Sequence, residues 1–165
     1  MARRGGKSLF SLTTVLASFF GAALVAGAYA YFNYKFSKYK FIDFQQFIFY
    51  ESKDIFKPKK ERYIVIFFSS KEPKAAKEIA SLKMKNPILA IDYYNKKIQS
   101  TNNVLFLRSG TNTSLKFIQR FNIYDEPAIF IIKRVRDTLY KQDSMIRKFD
   151  NLEALAKSKN IEEEL

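Results

Sequence analysis

The chain has 165 residues, enough for one ordinary domain plus an appendage, and 47% of them are hydrophobic, enough for a core. It contains neither cysteine nor histidine. That excludes disulfides, a thiol nucleophile, soft-metal sites and imidazole acid–base chemistry, and no motif calls for a cofactor. The net charge is +13, but the excess is spread along the chain rather than gathered in one arm or helix. Nucleic acid is therefore not the expected partner, since a dispersed excess is usually a solvated face.

Residues 1–8 carry Arg3, Arg4 and Lys7, and no charge follows from Ser8 to Tyr34. Leu9 to Phe32, LFSLTTVLASFFGAALVAGAYAYF, would run about 36 Å as a helix. That exceeds the roughly 30 Å hydrocarbon core of a bilayer, so the segment can cross it with some tilt. Tyr29, Tyr31 and Tyr34 gather at its C-terminal end, where amphipathic rings favour the membrane–water interface. The rival reading is a signal peptide cleaved at Ala28-Tyr29-Ala30. The apolar run is longer than an ordinary signal core, which favours an uncleaved anchor. Lys35, Lys38 and Lys40 rival the N-terminal charges, but an N-terminus this short stays by default in the cytoplasm. The expectation is a single pass through the inner membrane, with the domain in the periplasm. Ser18, Ala22, Ala26 and Ala30 recur every four residues. Such a small-residue stripe lets membrane helices approach closely and would pair two copies of the chain; small residues are also simply common in membrane helices.

Residues 33–61 read as a juxtamembrane segment and connector. Phe36, Phe41, Phe44 and Phe47 recur at spacings that fit either a helix leaving the membrane or a strand near Phe47–Tyr50. They would offer an aromatic surface to a partner or pack on their own domain. KDIFKPKKER, residues 53 to 62, with Pro58, predicts a turn or loop.

The predicted domain covers residues 62–160. YIVIFF, residues 63–68, predicts a central strand. KEPKAAKEIASLKMK predicts a helix capped by Ser70, with Pro73 in its first turn. Strands are predicted in residues 86–94 and at Val104–Leu107, then a turn at 109–111 and a helix over Ser114–Phe121. SGTNTS lacks the glycines and the lysine of a phosphate loop, so it reads as a turn and cap. Pro127 opens the strand Ala128–Ile132, and Leu139–Phe149 alternates as an edge strand or hairpin arm. Asp150 and Glu153 form a capping box for a last helix bearing Leu152, Leu155 and Ala156, before an acidic tail, 161–165. The order β, α, β, β, α, β, β, α belongs to an α/β layered fold. The carboxylates Asp125-Glu126 and Glu162–Glu164 are sequence neighbours that point into solvent more often than they form a catalytic pair.

This part of the chain resembles a thioredoxin-fold domain. The resemblance rests on YIVIFF running into a helix, a second helix, and Glu126-Pro127 ahead of AIFII beside a hairpin and last helix. It implies a central mixed sheet flanked by helices and a cis bond before Pro127, against an ordinary trans proline opening an edge strand. An ungapped overlay puts Pro73 and Ala76 where the family has its two cysteines, with Lys74 and Ala75 between. Disulfide exchange is thereby excluded, for no thiolate exists to attack. Residues 86–103 look like additional material relative to a minimal thioredoxin. The resemblance implies a cleft beside Pro127, lined by Ser69, Ser70, Lys71 and Glu126, for an extended peptide or a partner.

Together these features predict a non-enzymatic, membrane-anchored adaptor that binds other envelope proteins. The Lys-, Ile-, Phe-, Tyr- and Asn-rich composition suits an AT-rich bacterial genome, and the expected setting is an envelope machine, first the flagellar motor. The alternative is a peptide-binding chaperone or assembly factor that uses the Pro127 cleft.

Overall fold

The computed structural model describes residues 11–38 and 40–148, and falls into two units, 1–38 and 39–165. The described residues of the first unit form one helix, α1 (Leu12–Lys38). Ser11 caps it, accepting from the Thr14 amide at 3.2 Å while its backbone oxygen takes the Val15 amide. Its stretch Leu12–Tyr34 is long and apolar enough to cross a membrane, with a mean hydropathy of 1.7. Phe19, Phe20, Leu24 and Val25 are each 70–73% exposed. A helix apolar on all sides demands an apolar environment, and one this close to an N-terminus is also what a signal sequence looks like.

The second unit is a mixed α/β domain built on a curled sheet. Its strands are β1 (Phe41–Asp43), β2 (Phe49–Glu51), β3 (Asp54–Ile55), β4 (Arg62–Phe68), β5 (Ile88–Asp92), β6 (Val104–Ser109), β7 (Ala128–Arg136), β8 (Leu139–Gln142) and β9 (Arg147–Lys148). The spatial order is β1-β8-β7-β4-β5-β6-β2-β3, with β9 also on β7. β4, β5 and β6 are parallel, and every other pairing is antiparallel. Among the described residues, two helices, α2 (Ala75–Ser81) and α3 (Thr111–Phe121), pack on it.

Six of the seven residues of β4 are buried, as a strand covered on both faces requires. Ile64, Ile66 and Phe68 join Ile88, Ala90, Phe106, Ile129 and Ile131 under Ala75 and Ile79 of α2. Tyr63, Val65 and Phe67 point to the opposite face, with Leu89, Ile91, Phe130 and Ile132, under Phe117 and Phe121 of α3. Phe117 is the hub of that face. It stacks on Phe67 and Phe130 and meets Phe49 edge-on, with ring centroids 5.7–6.3 Å apart. α3 ends at Asn122, whose left-handed backbone (φ 52°, ψ 47°) closes the turn into Ile123.

Three sequence expectations need correction. Residues 41–55, read as a juxtamembrane segment and connector, supply β1, β2 and β3; of the two readings open for them it is the strand, not the helix, that forms, as β2 at Phe49–Glu51. Phe44 and Phe47, each 5% exposed, are core residues and not a partner surface. Phe44 packs on Phe49, Phe56 and Tyr140. Phe41 is half-buried, with Lys141 over its ring, and Phe36 lies on α1. The second correction concerns α2, which is only two turns long and capped at Lys74, not Ser70. A turn closed by Ala75 N–H to Glu72 O holds Pro73 ahead of the helix, not inside its first turn. The helix stops at Ser81, whose hydroxyl donates to Glu78 O at 2.7 Å and competes for the backbone. Third, residues 86–103, which looked like additional material, hold the strand expected in 86–94 as β5, and it lies beside β4 near the centre of the sheet. The predicted last helix (Leu152, Leu155, Ala156, with Asp150 and Glu153) and the acidic tail lie outside the described residues.

Candidate functional site

The parallel strands end at Phe68, Asp92 and Ser109, and ligands of open α/β sheets bind outside the carboxyl ends of such strands. At that end the loop from β4 to α2 meets the turn into β7. The Glu126–Pro127 bond in this turn is cis. Pro127 is buried, and Ala128, the residue after it, pairs with Phe67 near the end of β4.

Asp92 organises this end. Only 2% exposed, its carboxylate accepts three backbone amides: Ser70 at 2.9 Å and Tyr94 at 3.2 Å on Oδ1, and Lys96 at 2.6 Å on Oδ2. A carboxylate buried at the tip of an apolar strand needs such donors, and these three fasten the loop after β4 to the loop after β5. The Ser69 hydroxyl donates to the Glu126 carboxyl. The Glu126 carboxyl is pushed above the usual carboxylate range by partial loss of water, and Asp92 and Glu72 add repulsion. The Ser69 hydrogen bond and the Lys71 charge pull the other way. Lys71 sits 4.9 Å from the centre of the Tyr94 ring. A hydrogen bond to Tyr94 raises the Lys71 ammonium above its ordinary value.

Beside this cluster opens a cleft of about 510 Å³, lined by Phe67, Tyr93, Leu115, Ile118, Ile123 and Tyr124, with Asp125 and Glu126 at its rim. Tyr93, Leu115 and Tyr124 are exposed in it, at 41%, 46% and 79%. Its chemistry is apolar and aromatic with an acidic lip, and Lys148 pairs with Asp125 on the outer side. Such a surface is suited to holding a chain segment in place.

Of Ser69, Ser70, Lys71 and Glu126, the residues the sequence assigned to a cleft, Glu126 alone lines the hollow; Ser70 is held by Asp92 through its amide, and Lys71 lies over the Tyr94 ring. Pro73 and Lys74 sit in the turn before α2. Of the two positions overlaid on the dithiol, Pro73 is exposed in that turn and Ala76 is half-buried against the core, while Ala75 between them is fully buried under the sheet. Sequence reasoning missed Asp92, Tyr93, Tyr94, Leu115 and Tyr124. The signal for the first was a lone carboxylate ending the apolar run ILAI ahead of two tyrosines. Ser18, Ala22, Ala26 and Ala30 lie on α1, where the Ser18 hydroxyl donates to Thr14 O at 2.9 Å. No protein-family model matches the chain, and no curated protein matches it in sequence.

Proposed function

We propose that this chain is a non-catalytic adaptor, held to the inner membrane by α1 with its domain in the periplasm, which docks a segment of another envelope protein in the cleft beside Pro127. The observation that carries the reading is the composition of that cleft. Exposed Tyr93, Leu115 and Tyr124 surround an apolar floor, and the lip carries Glu126 and Asp125, the latter already paired with Lys148. The complementary partner segment carries aliphatic or aromatic side chains flanked by a cation. α1 supports the anchor by length and apolarity. A tether raises the local concentration of the domain over the bilayer, which suits an accessory part of a membrane machine. The flagellar motor is the first assembly in which to look for it.

A redox-dead thioredoxin-like ancestry is part of the proposal. It is supported by the order β4 into α2, then α3, then Pro127 opening β7 beside the β7–β8 hairpin. β6 and the added strands β1, β2 and β3 set the sheet apart from that plan. The same open cleft would also suit a chaperone that holds extended chains loosely.

Site-specific photo-crosslinking from position 115 or 124 in native membranes tests the proposal. One partner captured in near-stoichiometric yield, and lost in the Leu115→Asp variant, is the expected result. Many weakly captured unfolded clients would replace it with the chaperone reading. Capture equal to that from an exposed control position, Lys83, would overturn both.

A further inference from the structure

The opposite end of the sheet carries a feature that the adaptor reading does not use. Phe41 lies opposite Lys141, Lys141 opposite Lys133, and Lys133 opposite Arg62, in register across β1, β8, β7 and β4. The next residues along each strand, Ile42, Tyr140, Ile132 and Tyr63, are buried in the core on the α3 side. Alternation therefore turns Phe41, Lys141, Lys133 and Arg62 to the other face. Three cations in a row on adjacent strands repel one another, and like charges directly opposite destabilise a sheet. The neighbouring carboxylates only partly offset them: Asp143 is 3.0 Å from Arg62, and Glu61 is 4.0 Å from Lys133. Beside the row is a hollow of about 480 Å³ lined by Lys60, Arg62, Lys85 and Lys133, with Glu61. Arg62 and Lys133 keep 47% and 43% of their side chains in solvent. Charges scattered through the sequence from 60 to 141 are thus gathered by the fold into one cationic site.

We propose that this row and hollow bind the phosphate headgroups of anionic phospholipids in the bilayer that α1 crosses. Phosphate is the shared chemistry: Arg62 offers a planar fork of donors, and the lysines offer point charges. The lipid is assigned as its source by the covalent chain. Two residues separate Phe41 from the end of α1 at Lys38, a reach of about 10 Å, and basic groups within a Debye length of a bilayer are attracted to the anionic lipids of the leaflet they face. The inference rests on the anchor reading above.

The test uses the full chain in nanodiscs of phosphatidylcholine alone, or with about a third of the lipid replaced by phosphatidylglycerol. Acylation rates are read residue by residue with an amine reagent and mass spectrometry. Lys85, Lys133 and Lys141 are expected to react at least about threefold more slowly in the anionic discs, with the protection removed by about half-molar salt. Lys77 on α2 and Lys116 on α3 are expected to be unchanged. Lys133→Gln with Lys141→Gln should abolish the protection of Lys85, while the charge-matched pair Lys77→Gln with Lys116→Gln should preserve it. Equal rates in the two discs, or uniform slowing of every lysine, would overturn the site and leave the anchor standing. Protection by pyrophosphate or a single-stranded oligonucleotide in neutral discs, without protection by anionic lipid, would assign the row to a soluble polyanion instead. A chain that fails to enter discs would overturn the anchor and this inference with it.

Discussion

Replacing Asp92 with alanine should loosen the cleft end before it unfolds the domain. The carboxylate holds the Ser70, Tyr94 and Lys96 amides, two of them on one oxygen. A hydrogen bond to a charged group contributes about 1.5–3 kcal/mol when its loss leaves a buried partner unsatisfied. Tyr94 and Lys96 are at the surface, so their amides can return to water, whereas Ser70 is only half-exposed. The net cost should therefore be about 2–3 kcal/mol and not three full bonds. For a domain of this size that is a fall in Tm of about 10 °C. Asp92→Asn keeps an acceptor for Ser70 and Tyr94 but turns an N–H₂ toward Lys96 N–H, and should cost about half as much. Thermal melts followed by circular dichroism measure the cost, and hydrogen exchange at amides 70, 94 and 96 locates it. An alanine variant within about 2 °C of wild type, or unchanged exchange at those three amides, would refute the reasoning.

Phe44→Ala should cost about 3–5 kcal/mol in urea unfolding, because the ring is enclosed by Phe49, Phe56 and Tyr140. A cost below about 1 kcal/mol would mean that residues 41–55 are not part of the core. Tyr140→Phe removes the hydrogen bond to Lys60 O and the one received from Arg134 Nε, and should cost about 1–2 kcal/mol at neutral pH. Burial raises the Tyr140 phenol above its ordinary 10.0, against the pull of the Arg134 hydrogen bond, so the unfolded chain ionises first. Wild type should lose stability as pH rises from about 10 toward the folded value, and the phenylalanine variant should lack that share of the alkaline decline. Glu126 is also raised, so its contribution falls as pH rises from the unfolded value, 4.5, through the folded one. Glu126→Gln should therefore match wild type below that window and gain on it above. Urea midpoints that move in parallel at pH 4 and pH 7 would refute this sign.

What the sequence made legible were the features set by local chemistry. A long uncharged apolar run predicts a membrane-competent helix regardless of context. YIVIFF and AIFII are too apolar and β-branched to be anything but buried strands, and they pair with each other in the centre of the sheet. In residues 41–55 only a strand near Phe47–Tyr50 was legible, and that as one of two readings, because elements of two or three residues carry no period. Their position comes from side chains such as Phe49, which finds Phe117 across the core. Ser70 was a reasonable cap by residue type, but its amide is committed to Asp92, 22 residues away. That contact cannot be read locally. The cleft was visible in the sequence only at Glu126, since Leu115 and Tyr124 become a lip once α3 and the turn after it are in place.

The two ends of the sheet differ in a way that gives the proposed lipid site and the proposed docking site separate places. Arg62 in the cationic row and Phe67 in the cleft lie on the same strand, β4, five residues or about 17 Å apart. β4 is paired on both sides by long neighbours and buried on both faces, so this separation is rigid. A domain holding lipid phosphates with its cationic end would present the acidic, aromatic cleft at the end away from them. A partner segment bearing a cation would then be drawn to the acidic end and repelled from the basic one. The charge distribution thus sets an orientation that neither site could impose alone. Lys133→Gln with Lys141→Gln should therefore weaken partner capture in anionic membranes although the cleft itself is untouched, and should leave capture in neutral discs unchanged. A loss of the same size in both would mean that the cationic row contacts the partner directly.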